Sequence, residues 1–256
     1  MIINDKKFIS FLKSLKIKED YIILHVKLIN HRHLIQNIDN FWTNLSKGLG
    51  NDKTFIVPTL NLNFVRTKIW DKKKSKSKSG YFSEYFRKNI SIRRTIHPIH
   101  SVSIFGKKYK KIPEHKSLSS FGKNSTWEWI CKSKNVCNLS IGVAVEGGAT
   151  FLHYIEELLK VNYRFNKKIT GSIKLKNKMV RKKFLYFARK KNKNFLIKNN
   201  WLNCQNDLLH DKILKKKKFK NLNFFYMNTN KATNFVIGKI INNPNYLVKY
   251  SKLPRK

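Results

Sequence analysis

The chain predicts an α/β fold, a mixed sheet flanked by helices within one domain spanning residues 1–256, and three observations carry that expectation. First, YIILHV (21–26) and TFIVPT (54–59) are apolar runs of strand length separated by a helical pattern from about Leu34 to Leu45. This is a β-α-β unit, hence a parallel strand pair with a crossover helix. Second, SIRRTIHPIHSVSIFG (91–106) reads as a strand at 91–94, a turn pinned by Pro98 and a second strand at 101–105 that ends at Gly106, because β-branched residues flank a proline. Third, 256 residues with 41% hydrophobic content suit one large core better than two small ones.

The remaining elements follow in order. Phe8, Ile9, Phe11, Leu12 and Leu15 recur at helical spacing and predict an amphipathic opening helix. DKKKSKSKS (71–79) is a solvated loop, and residues 80–87 form a short helix. In STWEWICK the Ser125 hydroxyl caps the amide of Glu128 while the Glu128 carboxylate reaches back, which fixes a helix start. Residues 136–143 are a buried strand, EGGA is a glycine turn, and 150–160 is a helix capped by Thr150. The last hundred residues alternate strand-like and helix-like pieces without a clear period, and no internal repeat is present.

A formal net charge of +41 invites a nucleic-acid reading. The lysines are scattered through every segment, and Lys, Asn, Ile and Phe, all with AT-rich codons, are used heavily together. Base composition alone therefore produces such a surface. Residues 158–256 hold 27 Lys and Arg against Asp207 and Asp211, a net +25. That half attracts any polyanion, but no zinc finger, RNP sequence or homeodomain accompanies it, so nucleic-acid contact is expected to be nonspecific. Cys131, Cys137 and Cys204 form neither a CxxC nor a His-paired metal spacing, which points to reduced, buried thiols and no metal site. No run of about 18 apolar residues occurs, and the cytoplasm is the expected compartment.

On a helical wheel over 150–160, Phe151, Leu152, Ile155, Leu158 and Leu159 form an apolar stripe. Thr150, His153 and Glu157 lie opposite, and Glu156 sits at the boundary beside His153. The positive end of the helix favours a neutral imidazole, and the neighbouring carboxylate opposes that. Two readings stand at this point: a general base oriented by an acid, or a surface i, i+3 pair worth a few tenths of a kcal/mol. The two histidines of the HPIH turn are open to metal, catalytic and turn-bracing roles in the same way.

Several segments together resemble the aminoglycoside 3-N-acetyltransferase family: YIILHVKL (21–28), FIVPTL (55–60), GYFSEYFRKNISIRRTIHPIHSVSIFG (80–106), FGKNSTWEWI (121–130) and IGVAVEGGATFLHYIEE (141–157). The match is good over 1–157 and weak over 158–256. The family fold is α/β and distinct from the GNAT acetyltransferases, and the resemblance implies transfer of an acetyl group from acetyl-CoA to an amine of an aminoglycoside or other amino sugar. It further implies His153 as catalytic base and Glu156 as its orienting acid. His25, Lys27 and Leu28, after the first strand, and Thr95, His97, Pro98, His100, Ser101 and Val102, in the HPxHS turn, would line the cofactor channel. His25-Val26-Lys27 stands where many members carry small serines, and Thr95 replaces a serine; a lysine there can meet a CoA phosphate.

The thioester is already activated, so direct base-assisted attack in a ternary complex is expected, with no cysteine nucleophile. For a polycationic acceptor the candidate acids are Glu84, Glu114, Glu128, Glu146 and Glu157. The long-range field instead favours anionic ligands, which makes an amino sugar on an anionic scaffold the rival acceptor. The alternative of a different class is a noncatalytic basic binding protein on a diverged acetyltransferase fold.

Overall fold

The computed structural model describes residues 5–35, 37–192 and 194–252. In chain order the elements are α1 (Asp5–Lys13), β1 (Tyr21–Val26), α2 (Ile38–Leu49), β2 (Thr54–Pro58), α3 (Phe64–Thr67), β3 (Ile69–Asp71) and α4 (Tyr81–Tyr85). There follow β4 (Arg93–Arg94), β5 (Val102–Gly106), α5 (Thr126–Lys132), β6 (Val136–Ile141), α6 (Val145–Gly148) and α7 (Leu152–Leu158). The C-terminal part adds β7 (Arg164–Leu175), β8 (Lys178–Arg189), β9 (Phe195–Asn199), α8 (Trp201–His210), β10 (Lys215–Phe219), β11 (Leu222–Asn228), α9 (Thr229–Asn242) and β12 (Val248–Lys252).

Seven strands form the central mixed sheet in the order β10-β11-β6-β1-β2-β5-β4. β1 runs parallel to β2 and β6, the expected crossover pair among them, whereas β2 pairs β5 antiparallel and β5 pairs β4 antiparallel. Every residue of β1 is buried, the mark of a strand covered on both faces. Ile22 and Leu24 point into one apolar layer with Phe8, Leu12, Trp42 and Leu45 of α1 and α2, while Tyr21 and Ile23 point into the other with Trp127, Leu152 and Ile155 of α5 and α7. The sheet thus has helices on both faces. β7 and β8 form a hairpin of twelve residues per strand that joins β3 in a second sheet.

Several local expectations are corrected. α2 begins at Ile38, because the Asn37 side chain accepts from the Asn40 amide and sets the cap there. Ser125 does cap Glu128 N at 3.0 Å, but Glu128 reaches past it to the Asn124 amide at 2.6 Å. The first three residues of EGGA lie in the short helix α6 rather than in a plain turn, and Ala149 caps it. Thr150 caps nothing with its side chain: α7 starts at Leu152 and its cap residue is Phe151. Leu158 is 48% exposed, while Tyr154 and Glu156 are buried, so the apolar stripe is displaced from its expected position. The three cysteines are free and buried. No helix among the described residues is long and apolar enough to cross a membrane.

Candidate active site

His153 and Glu156 meet on α7, where spacing of three places side chains on one face. The Nδ1 of His153 stands 2.6 Å from Glu156 Oε2. Glu156 is completely buried, and the same oxygen is ion-paired at 2.8 Å with Arg164 from the first position of β7. Burial works to raise the Glu156 carboxyl, but His153 and Arg164 outweigh it and hold the group below the ordinary carboxylate range. An ionised acid at Oε2 makes Nδ1 the protonated nitrogen of a neutral imidazole and leaves the Nε2 lone pair free. Burial is also the largest influence on His153 and lowers it despite Glu156, so the neutral form rests on desolvation more than on a helix dipole, α7 being only seven residues long.

The imidazole is partly open, with 21% of its side chain exposed. It is held between the rings of Phe121, 5.5 Å away, and Trp201, 5.1 Å away. Tyr163 is buried against the Glu156 carboxylate, and burial together with that charge pushes its hydroxyl up. Arg164, Phe121, Trp201 and Tyr163 escape sequence reasoning as site residues, since they arrive from three separate places, the loop before α5, the entry to β7 and the start of α8, and none falls in a recognisable spacing.

A cavity of about 830 Å³ opens at the C-terminal end of β1, the edge at which parallel strands place ligand sites. His25, Lys27 and Leu28 line it, together with Ile35, Ile38, Pro58, Leu60, Gly80 to Ser83, Val143, Gly147 and Thr150. Its wall is largely aliphatic. Buried in that wall, His25 has an Nε2 without a hydrogen-bond partner, and burial drops its pKa to about 4. Lys27 is exposed. Gly142, at φ +68°, lets the loop after β6 pass so close that a Cβ there would lie 2.2 Å from the Lys27 carbonyl oxygen, a contact only glycine allows. The cavity extends to Thr150, whose carbonyl accepts the His153 amide at 3.1 Å.

Thr95, His97, Pro98, His100, Ser101 and Val102 are buried and contribute nothing to that wall. The polar side chains of Thr95, His97 and Ser101 brace the turn. His97 Nδ1 accepts the amides of Ile99 and His100 at 3.3 and 3.0 Å, and Thr95 Oγ1 accepts that of Val102 at 3.0 Å. Ser101 Oγ donates to the Thr59 carbonyl at 2.9 Å and accepts from Arg94 Nε at 3.0 Å. The turn's carbonyls in turn receive the amides of Thr59 and Asn61, at 2.9 and 2.8 Å, and so hold the stretch that carries Pro58 and Leu60 into the cavity. His100 faces the dyad side: its Nδ1 is 2.7 Å from Ser120 Oγ, and its ring is 4.8 Å from that of Phe121. No group of three or more potential metal-binding side chains exists among the described residues.

Comparison with known proteins adds to this geometry. The family described as Aminoglycoside 3-N-acetyltransferase matches residues 23–240. Among solved structures, the chain is similar to AAC-IIIb in binary complex with CoASH, at 14% identity and a TM-score of 0.79 over 94% of this chain and 97% of that one. It is likewise similar to a histidine-to-alanine mutant of aminoglycoside acetyltransferase AAC(3)-IVa in complex with a gentamicin (17%, TM-score 0.76, 96% and 92% covered). A third is YokD from Bacillus subtilis (16%, TM-score 0.75, 94% and 100% covered). No curated protein matches the chain significantly.

Proposed function

The chain belongs to the aminoglycoside 3-N-acetyltransferase family, an acetyl-CoA-dependent N-acetyltransferase by that membership, and from this premise we propose that His153 is the base and Glu156 its orienting acid. The 2.6 Å contact between His153 Nδ1 and a fully buried, Arg164-paired carboxylate is the observation that carries the reading. The acceptor amine loses its proton to His153 Nε2 as its nitrogen attacks the thioester carbonyl. The imidazolium formed is stabilised by Glu156, and collapse of the adduct expels the CoA thiolate, which takes up a proton. Arg164 keeps Glu156 ionised, so the acid orients rather than accepts the proton.

The 830 Å³ cavity is the proposed seat of the pantetheine arm. Its aliphatic wall suits the methylenes and gem-dimethyl group, and exposed Lys27 suits a phosphate at the mouth. The HPxHS residues act one layer behind, as positioning residues for Pro58 and Leu60. Cys131 and Cys137 take no part: both are buried, and burial pushes their thiols up, away from the thiolate a ping-pong route needs. The test is His153→Ala, assayed by thiol release. The chemical step should fall by about 10²-fold or more while acetyl-CoA affinity stays near wild type; a kcat within threefold of wild type removes His153 from the mechanism.

A further inference from the structure

The hairpin that supplies Arg164 to the dyad also says what kind of acceptor reaches it. Arg164 meets Glu156, and two residues on, Asn166 Nδ2 reaches Glu157 at 3.4 Å, so this face of β7 looks onto α7. Side chains two apart share a strand face, and the same face continues outward through Lys168 and Thr170. Cross-strand register puts Lys183 opposite Thr170 and Arg181 opposite Ser172 on it. Lys168, Lys183 and Arg181 are exposed, and none pairs with a carboxylate among the described residues. At about 3.3 Å per residue, Lys168 lies about 13 Å from the Arg164 backbone and Lys183 about 20 Å. Residues 158–206 hold 15 Lys and Arg and no Asp or Glu.

Of the candidate acids for a cationic acceptor, all but Glu146 are meanwhile engaged elsewhere. Glu84 is bound by Arg87 at 2.7 Å, Glu114 by Arg93 at 3.5 Å and Glu128 by Lys132 at 2.7 Å. Glu146 is exposed on α6, between cavity-lining Val143 and Gly147. Glu157, nearest the dyad, takes hydrogen bonds from the Ser119 hydroxyl and from Asn166, and burial pushes its carboxyl up, toward the neutral form. A row of free cations leads away from the reaction centre, and no matching row of free anions exists beside it among the described residues.

Resting on the catalytic reading above, we propose that the acceptor is an amino sugar bearing a phosphate or pyrophosphate, drawn in along Arg181 and Lys183, about 26 and 20 Å out, with Lys168, the nearest of the three, meeting the phosphate while the amine lies at His153. None of these three residues lines the cofactor cavity, so the cation row is separate from the acetyl-CoA seat.

The test compares wild type with the triple variant Lys168→Glu, Arg181→Glu, Lys183→Glu at low salt. UDP-glucosamine, free glucosamine and gentamicin serve as acceptors, with thiol release as readout. The expected result is a kcat/KM at least tenfold higher for UDP-glucosamine than for glucosamine. The triple variant should abolish that advantage while leaving the glucosamine rate and the KM for acetyl-CoA within twofold. Gentamicin outperforming UDP-glucosamine, an unaltered preference in the variant, or a raised KM for acetyl-CoA each overturns the proposal. Should no amine release thiol, the catalytic reading fails by itself, and calorimetry with UDP-N-acetylglucosamine decides the rest: binding that the variant weakens tenfold upholds the anionic acceptor, and absent binding overturns it.

Discussion

Acidification should unfold this protein through the histidines that frame its site. His25 in the cavity wall and His115 beneath the HPxHS turn are both buried, and burial lowers each pKa from 6.5 to about 4. His97 and His100 are also buried and are pushed well down, by desolvation first and by neighbouring histidines second. A group whose folded pKa is depressed binds more protons when unfolded, so stability rises with pH between the two values and is lost as pH falls from about 6.5 toward 4. For His25 and His115 the loss near pH 4 is about 3 kcal/mol each. About 6 kcal/mol from two residues consumes much of a typical domain stability of about 5–15 kcal/mol, and His97 and His100 add in the same direction. The cause is geometric: His97 and His115 have ring centroids 4.6 Å apart, and His115 spends Nε2 on the Ser119 carbonyl and Nδ1 on the Thr126 amide, leaving no acceptor for a second proton. The assay is urea unfolding at half-unit steps from pH 7 to 4, for wild type and His115→Gln. Wild type should lose stability steeply below pH 6.5, and the variant, weaker at pH 7, should have a shallower slope. A flat profile in wild type, or equal slopes in the two proteins, refutes the reasoning.

Other consequences follow from the same geometry. Glu156→Gln removes the charge that partly offsets burial at His153: kcat should fall about tenfold or more but less than in His153→Ala, and the acid limb of kcat/KM, which exists because the base must be neutral and which burial of His153 already lowers, should move to still lower pH. A larger loss in Glu157→Gln would reassign the acid. Gly142→Ala must place a Cβ 2.2 Å from the Lys27 carbonyl oxygen at φ +68°, so it should cost about 2 kcal/mol or more in chemical denaturation and raise the KM for acetyl-CoA; an unchanged KM would separate this loop from the cofactor site. DNA or RNA should bind without sequence preference and dissociate steeply with salt, while thiol release persists at salt that abolishes such binding; a sequence preference surviving near physiological salt, with no thiol release, would make the basic half the functional one.

What the sequence reveals here depends on how local the determining physics is. β1 is legible to the residue at 21–26, because an apolar run broken only by His25 and set between polar flanks has one economical use in an α/β protein. The Ser125 cap is legible because its partners lie within three residues. The α7 pattern misleads where a distant group decides: Glu156 is completely buried although a wheel puts it at the boundary, since Arg164, eight residues on and in another element, arrives to pair with it. The HPxHS turn shows its rigidity in the sequence but not its depth, for only the fold places Thr59 and Asn61 against its carbonyls and leaves the cavity to Pro58 and Leu60. The C-terminal part is the least legible. Lysine fills every exposed position of β10, and in β7 and β8 it shares the exposed positions with other residues, Phe165 and Met179 among them, which blurs the polar/apolar alternation by which strands are read. The same lysines regain meaning once paired in register: Lys168 and Lys183 are two among 55 Lys and Arg in the chain, and only the hairpin puts them on the face that Arg164 turns toward the dyad. Abundance alone singles out none of these cations, and topology decides which of them can meet an acceptor.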